Sequence, residues 1–347
     1  MPWTKVLLDK ADFETAITKA GLRGLSYRGA LLEAQSQLLE ADKAVFLIGE
    51  GIDDAGGVFG STLGLAEKFG KDRVLDCPIA ENGMTGVAVG AAICGMRPVF
   101  IHMRMDFLPM CMDQIANHAA KWNYMTGGHA NAPLVIRSIV GRGWGSAAQH
   151  SQVLHGMFNN IPGLKIALPA TPYDAKGLLI SSVYDGNPVL FCEHRWLYEL
   201  AGYVPAESYT VPFGKAVVRR KGKDVTIVAL SLMVCEAVRA AKILEAEGIE
   251  AEIIDPRTIK PLDEAAILES VKKTGRLVIA DTGVKTGGVS GEIAAVVAEK
   301  GFDLLRAPVA RIGLPDAPAP ASPALEKIYY PGAPEIAEAA KKLCRTK

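Results

Sequence analysis

Short apolar runs that recur along the chain constrain its fold more than any other feature. In the first half they occupy residues 44–49, 73–77, 98–101, 133–139, 164–169 and 188–193. They are continuous instead of alternating, and Gly, Pro or Asp bound them, as is typical of parallel strands buried on both faces. Helix-like stretches separate them at 27–40, 83–95, 110–124 and 173–184. This alternation predicts a doubly wound α/β fold with a mainly parallel sheet flanked by helices.

A second α/β series follows an irregular stretch at 200–214. Its strands are predicted at 225–230, 251–255, 276–281 and 309–313, and its helices at about 234–247, 263–274 and 291–300. We therefore predict two doubly wound domains, with an N-terminal arm at 1–22, a first domain at 23–199, a linker at 200–214 and a second domain at 215–347. The Pro/Ala-rich segment 315–323 is expected to form an extended surface strap.

Charge and cysteine usage argue against several classes of protein. The 38 basic and 38 acidic residues cancel, and no Lys/Arg stripe is interleaved with aromatics, so neither nucleic acid nor an anionic membrane is an expected partner. The six cysteines contain no C-x-x-C pair, which argues against a disulfide framework, a zinc site or an iron–sulfur cluster. No signal-peptide core and no run of about 18 apolar residues occurs, so we expect a cytoplasmic protein.

Two glycine-containing loops fail the requirements of nucleotide binding. Gly49 and Gly51 follow a predicted strand, but Asp54 occupies the third glycine position of G-x-G-x-x-G and would place a carboxylate against a pyrophosphate. The segment 141–145 also fails this spacing, and no G-x-x-x-x-G-K-[ST] loop is present. The sequence therefore predicts no nucleotide site of either familiar kind.

Glu81 begins the most informative helical stretch. Gly83, Gly86 and Gly90 follow it, and glycines this dense lower helix stability while allowing another backbone to approach closely. Taken alone, Glu81 is most simply a solvated carboxylate favoured by the helix dipole. The surrounding sequence changes that interpretation.

Residues 79–92 (IAENGMTGVAVGAA) resemble the β subunit of the E1 component of 2-oxo acid dehydrogenases. The similarity continues in order through VFLIGE at 45–50, DQIANHAAK at 113–121, YMTGG at 124–128, AQHSQ at 148–152 and PGLK at 162–165. DPRTIKPLD at 255–263 resembles the signature of the transketolase C-terminal domain. The resemblance extends from about residue 25 to the end, and it implies a transketolase-like pair of domains of which the first binds the pyrimidine of thiamine diphosphate.

The resemblance implies roles for four residues. Glu81 would be the carboxylate that hydrogen-bonds the aminopyrimidine N1′ and favours the imino tautomer, whose nitrogen removes the thiazolium C2 proton. Phe107 matches the aromatic that stacks on the pyrimidine, with an ordinary core residue as the alternative. Glu50 matches a glutamate that supports the Glu81 network, with surface capping as the alternative. His150 matches the histidine that faces the substrate and the acyl acceptor.

The diphosphate half of such a site is missing from this chain. The family holds the diphosphate through Mg²⁺ with a Gly-Asp-Gly motif, which does not occur here. The resemblance therefore implies a separate α-type E1 subunit that carries this motif, in an α2β2 assembly with the helix after Glu81 at the interface. Ser182, Asp185 and Asn187 align with a potassium site of some relatives, but the same residues suit a turn, which we favour.

The segment before Phe107 departs from the family pattern. His102, Arg104 and Asp106 stand where relatives of the pyruvate type carry apolar and aromatic residues, and residues 193–196 also differ from the usual Glu-Asn-Glu. An unpaired buried Arg or His is costly, so these groups either pair with Asp106 or Glu193 or bind a more polar or anionic substrate.

Three functions remain to be compared. We predict the β subunit of a thiamine diphosphate-dependent 2-oxo acid dehydrogenase that, with its α partner, decarboxylates a 2-oxo acid and passes the acyl group to a lipoyl-bearing E2. The alternative is a split transketolase-like enzyme that transfers a ketol or acyl unit to a sugar. A non-catalytic scaffold subunit is disfavoured because Glu81, Phe107 and His150 are all present.

Overall fold

The computed structural model describes residues 1–142 and 145–345. Its strands are, in chain order, β1 (Gly24–Ser26), β2 (Val45–Gly49), β3 (Val74–Asp76), β4 (Arg97–His102), β5 (Val135–Val140), β6 (Lys165–Ala167), β7 (Val189–His194), β8 (Ala201–Tyr203), β9 (Val217–Arg220), β10 (Val225–Ala229), β11 (Ala251–Asp255), β12 (Thr258–Lys260), β13 (Leu277–Val284) and β14 (Ala310–Leu314).

Helices cover the faces of the sheets. The α-helices are α1 (Lys10–Phe13), α2 (Tyr27–Ala41), α3 (Leu65–Phe69), α4 (Glu81–Ile93), α5 (Trp122–Met125), α6 (His155–Asn159), α7 (Pro172–Val183), α8 (Met233–Glu245), α9 (Glu264–Thr274), α10 (Val289–Gly301), α11 (Pro323–Tyr329) and α12 (Ala333–Arg345). Short 3-10 helices cover Pro2–Thr4, Met105–Cys111, Arg195–Leu197 and Phe302–Leu304, and π-helical turns cover Glu14–Thr18 and Gln114–Ala119.

The larger sheet has seven strands in the order β12-β6-β7-β5-β4-β2-β3. Every neighbouring pair from β6 to β3 is parallel, and β12 joins the edge antiparallel to β6. All residues of β2, β5 and β7 are buried, as expected for parallel strands between two helical layers. The chain leaves β2, β3 and β4 at one edge of this sheet, and such carboxyl-terminal edges are where α/β folds place their ligand sites.

The smaller sheet has five strands in the order β14-β13-β10-β11-β9, in which β9 alone runs antiparallel to its neighbour. Helix α8 packs against α12, and α9 packs against α10. A two-stranded ribbon of β1 and β8 completes the strands. The predicted class of helix-flanked, mainly parallel sheets is therefore confirmed.

A buried group of four charged side chains links helix α7 to the smaller sheet. Asp174 of α7 pairs with Arg219 of β9 and, at 3.2 Å, with Arg257. Arg219 also pairs with Asp255 at 2.7 Å. Burying charges is tolerated only where each has a partner, and these four side chains supply partners to one another. They connect α7, which packs against the larger sheet, to β9 and β11 of the smaller sheet.

The prediction of one continuous helix at 110–124 is wrong. Pro109 lies inside the 3-10 helix that ends at Cys111, and it has no N–H to donate to a preceding carbonyl. The π-helical turn and α5 then divide the remainder. The chain therefore changes helix type along this stretch, from 3-10 to π to α.

Two further expectations concern cysteines and membranes. All six cysteines are free thiols, and Cys77, Cys111, Cys192 and Cys235 are buried. Among the helices of the described ranges, none is both long and apolar enough to cross a bilayer.

Candidate active site

A cavity of about 390 Å³ opens at the carboxyl-terminal edge of the larger sheet. It is lined by six residues that the sequence singled out, Glu50, Glu81, His102, Arg104, Phe107 and His150, and by two that it did not, Phe59 and Met103. Parallel pairing of β2 with β3 and β4 explains the convergence, because the segments that follow adjacent parallel strands emerge side by side.

Two carboxylates enter this cavity from neighbouring strands. Glu81 is the first residue of α4 and is only 6% exposed, and Glu50 directly follows β2. Burial raises the pKa of the Glu50 carboxyl, and the negative charges of Glu81 and Asp76 raise it further. Glu50 therefore holds a proton more readily than an exposed glutamate does, which limits the negative charge placed beside Glu81.

Phe107 and His150 also line the cavity, and their rings contact each other. Their ring centroids lie 5.4 Å apart with the planes at 79°, an edge-to-face contact. Phe107 is half-buried within the 3-10 helix, whereas His150 is exposed on the loop that follows β5. This places a solvent-exposed imidazole next to the aromatic ring of Phe107.

Asp106 supports the His150 loop and is not among the residues that line the cavity. Its Oδ1 accepts a hydrogen bond from the backbone N–H of Gln152 at 2.9 Å. Met105 receives the N–H of Leu154 on its sulfur at 3.1 Å. Burial raises the pKa of the Asp106 carboxyl, and the Gln152 hydrogen bond opposes that rise. Asp106 therefore fixes the loop that carries His150, and its tentative assignment to the substrate pocket stays a prediction.

His102 and Arg104 present unpartnered polar atoms at the cavity. Nε2 of His102 and Nη1 of Arg104 are both buried without a hydrogen-bond partner among the described residues. Burial lowers the pKa of His102 to about 3, so its imidazole is neutral at physiological pH. Burial also lowers the pKa of Arg104, and the charge of Asp106 opposes that change. Both groups have hydrogen-bonding capacity available for a ligand.

The expected pairing of Glu193 with His102 or Arg104 is not found among the described residues, because Glu193 has other partners. Its carboxylate accepts from Arg137 at 2.5 and 2.8 Å and from the Tyr198 hydroxyl at 2.7 Å. This network was not predicted because Arg137 lies within an apolar strand run, where a single charged residue gives no periodic signal.

Side chains of the aligned potassium loop bind other protein groups. Ser182 donates its hydroxyl hydrogen to the Leu178 carbonyl at 2.7 Å, and Asp185 accepts from Lys165 at 2.5 Å. Gly186 has φ +84°, as the turn through Asn187 requires. Within 1–142 and 145–345, no group of three or more His, Cys, Asp or Glu side chains is arranged to hold a metal ion.

One face of α4 beside Glu81 is open. A Cβ placed on Gly83 or Gly90 would meet no atom within 4 Å, and Val87 between them is 55% exposed. Ile79, just before the helix, is 83% exposed. Positions 83, 87 and 90 share a helix face, so small and apolar residues form a continuous strip next to the cavity.

Both halves of the chain match models of known protein families. Residues 23–200 match the family model of the transketolase pyrimidine binding domain, and residues 214–336 match that of the transketolase C-terminal domain. The chain is 49% identical to the acetoin:2,6-dichlorophenolindophenol oxidoreductase subunit beta of Cupriavidus necator, over 92% of this chain and 97% of that one.

Relatives named for 2-oxo acid substrates are similarly close. The 2-oxoisovalerate dehydrogenase subunit beta of Bacillus subtilis is 43% identical over 92% of this chain and 98% of its own length. The pyruvate dehydrogenase E1 component subunit beta of Rhizobium meliloti is 43% identical over 92% of this chain and 70% of its own length. Among solved structures, a split gene transketolase described as an inactive beta4 tetramer aligns with TM-score 0.76 and 26% identity, over 94% of this chain and all of that one.

Proposed function

Because this chain belongs to the family of transketolase-like E1 β subunits of 2-oxo acid dehydrogenases, we propose that it forms the pyrimidine-binding half of a thiamine diphosphate site in which Glu81 activates the cofactor. The observation that carries the proposal is the buried carboxylate of Glu81 at the edge of a cavity that Glu50 and Phe107 also line.

The residues present fit the aminopyrimidine part of thiamine. Glu81 would hold a proton shared with a ring nitrogen, and the flat ring of Phe107 would pack on the pyrimidine. Glu50, whose pKa is raised, would take up a proton more readily than an ordinary glutamate and so reduce the negative charge beside Glu81. The bound cofactor would supply the carbon nucleophile that attacks a substrate carbonyl. His150 would give a proton to an oxygen of the substrate.

An open face of α4 supports the presence of a second subunit at this site. The open strip of Gly83, Val87 and Gly90 lies beside Glu81, and an apolar strip of this kind is favourable to bury against a partner. We place an α-type chain with the Gly-Asp-Gly motif there, in an α2β2 assembly, and assign to it the Mg²⁺ that holds the diphosphate. A lipoyl-bearing E2 is the proposed acyl acceptor.

The substrate is proposed to be a 2-oxo acid, bound near His102 and Arg104. Their unpartnered nitrogens suit the oxygens of an α-oxo carboxylate. The relative named for acetoin supports a second substrate, a neutral hydroxyketone whose carbonyl is attacked in the same way. Ketol transfer to a sugar is the third candidate function. At the loop of Ser182, Asp185 and Asn187 we favour a turn over a potassium site.

Glu81→Gln tests cofactor activation. In the complex reconstituted with its α chain, the amide keeps the size of the side chain but cannot take up the proton, and we expect kcat to fall by about 10²–10⁴-fold. Thiamine diphosphate binding should remain measurable by fluorescence quenching. The matched control is Glu67→Gln, at an exposed glutamate of α3, which should leave kcat unchanged.

Two results would contradict the proposal. The first is Glu81→Gln activity within about twofold of wild type, because acid–base catalysis by this carboxylate would then be absent. The second is turnover by this chain without any partner, because the site would then not be divided between subunits. Parallel assays identify the substrate by the product released, which is CO2 from pyruvate, acetaldehyde from acetoin and a shortened aldose from a keto-sugar.

A further inference from the structure

Phe59 lines the cavity although no sequence motif pointed to it. It lies between β2 and α3, in a stretch that is rich in glycine. Its backbone has φ +49°, in the left-handed region that residues with a side chain rarely adopt. Strained conformations of this kind persist where the surrounding structure enforces them, and they concentrate at functional sites.

Buried hydrogen bonds enforce the conformation of Phe59. Two residues later, the Ser61 carbonyl accepts from Gln35 at 2.6 Å, and the Ser61 hydroxyl oxygen accepts from Arg137 at 3.0 Å. The same hydroxyl donates to the Val58 carbonyl at 2.9 Å. Because Arg137 is itself fixed by Glu193, the loop is anchored to the buried charge network and the ring position is defined.

The Phe59 ring lies within cation–π distance of two guanidinium groups. The Cζ of Arg104 is 5.4 Å from the ring centroid and that of Arg195 is 4.6 Å away. The edge of the ring contacts Tyr198, with the centroids 6.3 Å apart. A ring face attracts a cation through its quadrupole, but it carries no net charge and so does not neutralise the cation.

Arg104 consequently keeps its positive charge and can contact a ligand in the cavity. Among the described residues, Arg104 has no side-chain hydrogen-bond partner that shifts its pKa, and its Nη1 is buried without a hydrogen-bond partner. Asp106 is within electrostatic reach, but one of its carboxylate oxygens is engaged by the Gln152 N–H. The charge of Arg195 adds to the positive potential on this side of the cavity.

We infer that Phe59 is a positioning residue that holds Arg104 in the cavity as an unpaired cation, and that Arg104 thereby selects substrates that carry a carboxylate. The inference rests on the proposed function and extends it, because it gives a physical basis for preferring a 2-oxo acid over a neutral ketone of the same size. A carboxylate can accept from the guanidinium in the bidentate geometry that a neutral group does not match.

Pyruvate and methyl pyruvate form a pair of probes, because they share the 2-oxopropanoyl group and differ in that the ester is uncharged and carries one additional methyl group. We would measure the affinity of the reconstituted complex for both compounds, as KM where turnover occurs and as an inhibition constant otherwise. The wild-type complex should bind pyruvate at least about tenfold more tightly than the ester, as expected for a charge-assisted contact.

Three variants separate positioning from a merely structural role. Phe59→Leu keeps an apolar side chain but removes the ring, and it should reduce the preference for pyruvate about three- to tenfold while kcat changes less than twofold. Phe59→Tyr keeps the ring face and should restore the wild-type preference. Arg104→Met should abolish the preference.

The outcomes are distinguishable. A wild-type preference near one, or a Phe59→Leu variant that weakens both probes equally or neither, would overturn the inference. Those results leave the Glu81→Gln test untouched, so the proposed cofactor activation would stand. Conversely, full activity of Glu81→Gln would overturn the proposed function, whereas the ratio of the two affinities would still report on Arg104.

Discussion

Replacing Glu193 with glutamine should destabilise the fold strongly without changing its shape. Glu193 and Arg137 are completely buried, and both carboxylate oxygens accept from the guanidinium. Glutamine has nearly the same volume, but it replaces one of these acceptors with an NH2 donor. The variant therefore places donor against donor and leaves the positive charge of Arg137 without a counter-charge.

The magnitude follows from what remains around Arg137. Breaking a buried ion pair by removing one partner costs about 3–5 kcal/mol. Arg137 keeps its hydrogen bonds to Gln35 at 2.7 Å and to Ser61 at 3.0 Å, so part of its solvation survives. We therefore expect a loss near the lower limit, about 3 kcal/mol, which is a large part of the about 5–15 kcal/mol that typically stabilises a folded protein.

Urea unfolding of the purified chain, followed by tryptophan fluorescence, measures this loss. Glu193→Gln, Arg137→Met and the double variant form a cycle, and the double variant should be more stable than the sum of the single losses predicts by about 1–3 kcal/mol. The control is Glu199→Gln, at an exposed glutamate that pairs with Arg28 at 3.3 Å, where the loss should stay below about 1 kcal/mol.

A loss of unfolding free energy below about 1 kcal/mol for Glu193→Gln would refute the reasoning. An unpaired buried cation destabilises the fold by more than this unless water reaches it. Strict additivity in the cycle would refute it as well. Since the Tyr198 hydroxyl donates to Glu193 and the Tyr198 ring contacts Phe59, the same variant should also reduce the preference for pyruvate over its ester.

Two further predictions concern acid stability and assembly. Burial alone would raise the pKa of Asp281, but the charge and hydrogen bond of His155, 3.0 Å away, hold it below its ordinary value. A carboxyl whose pKa is lowered in the folded state stabilises the fold above its unfolded pKa of about 3.9, and this stability is lost as pH falls through the folded pKa. Asp281→Asn should therefore make the urea midpoint depend less on pH between about pH 5 and pH 2. Superimposable pH profiles of the wild type and the variant would contradict this. Gly83→Ala and Gly90→Ala should stabilise the isolated chain by up to about 1 kcal/mol each through helix propensity and weaken association with the α chain in sedimentation velocity, whereas undiminished association would exclude this helix face from the interface.

Much of the fold was predictable because the signals were local. The continuous apolar runs at 44–49 and 188–193 became buried parallel strands, since burial on both faces leaves its trace in consecutive residues. The family resemblance around Glu81 is confirmed by relatives that are 43–49% identical over most of the chain. Convergence of the predicted residues at one cavity followed from strand order, because Glu50, Glu81 and His102 come at the ends of adjacent parallel strands or just after them.

The sequence by itself determined the class of fold, the family and the carboxylate proposed to activate the cofactor. Only the tertiary structure decided that Phe59 enters the cavity, that Arg137 and Glu193 form a buried pair, and that β12 joins the larger sheet from the second half of the chain. These features depend on contacts between residues far apart in sequence, such as Arg137 with Gln35 across 102 positions. Contacts of that kind arise from the packing of whole elements, so no local pattern of residues records them.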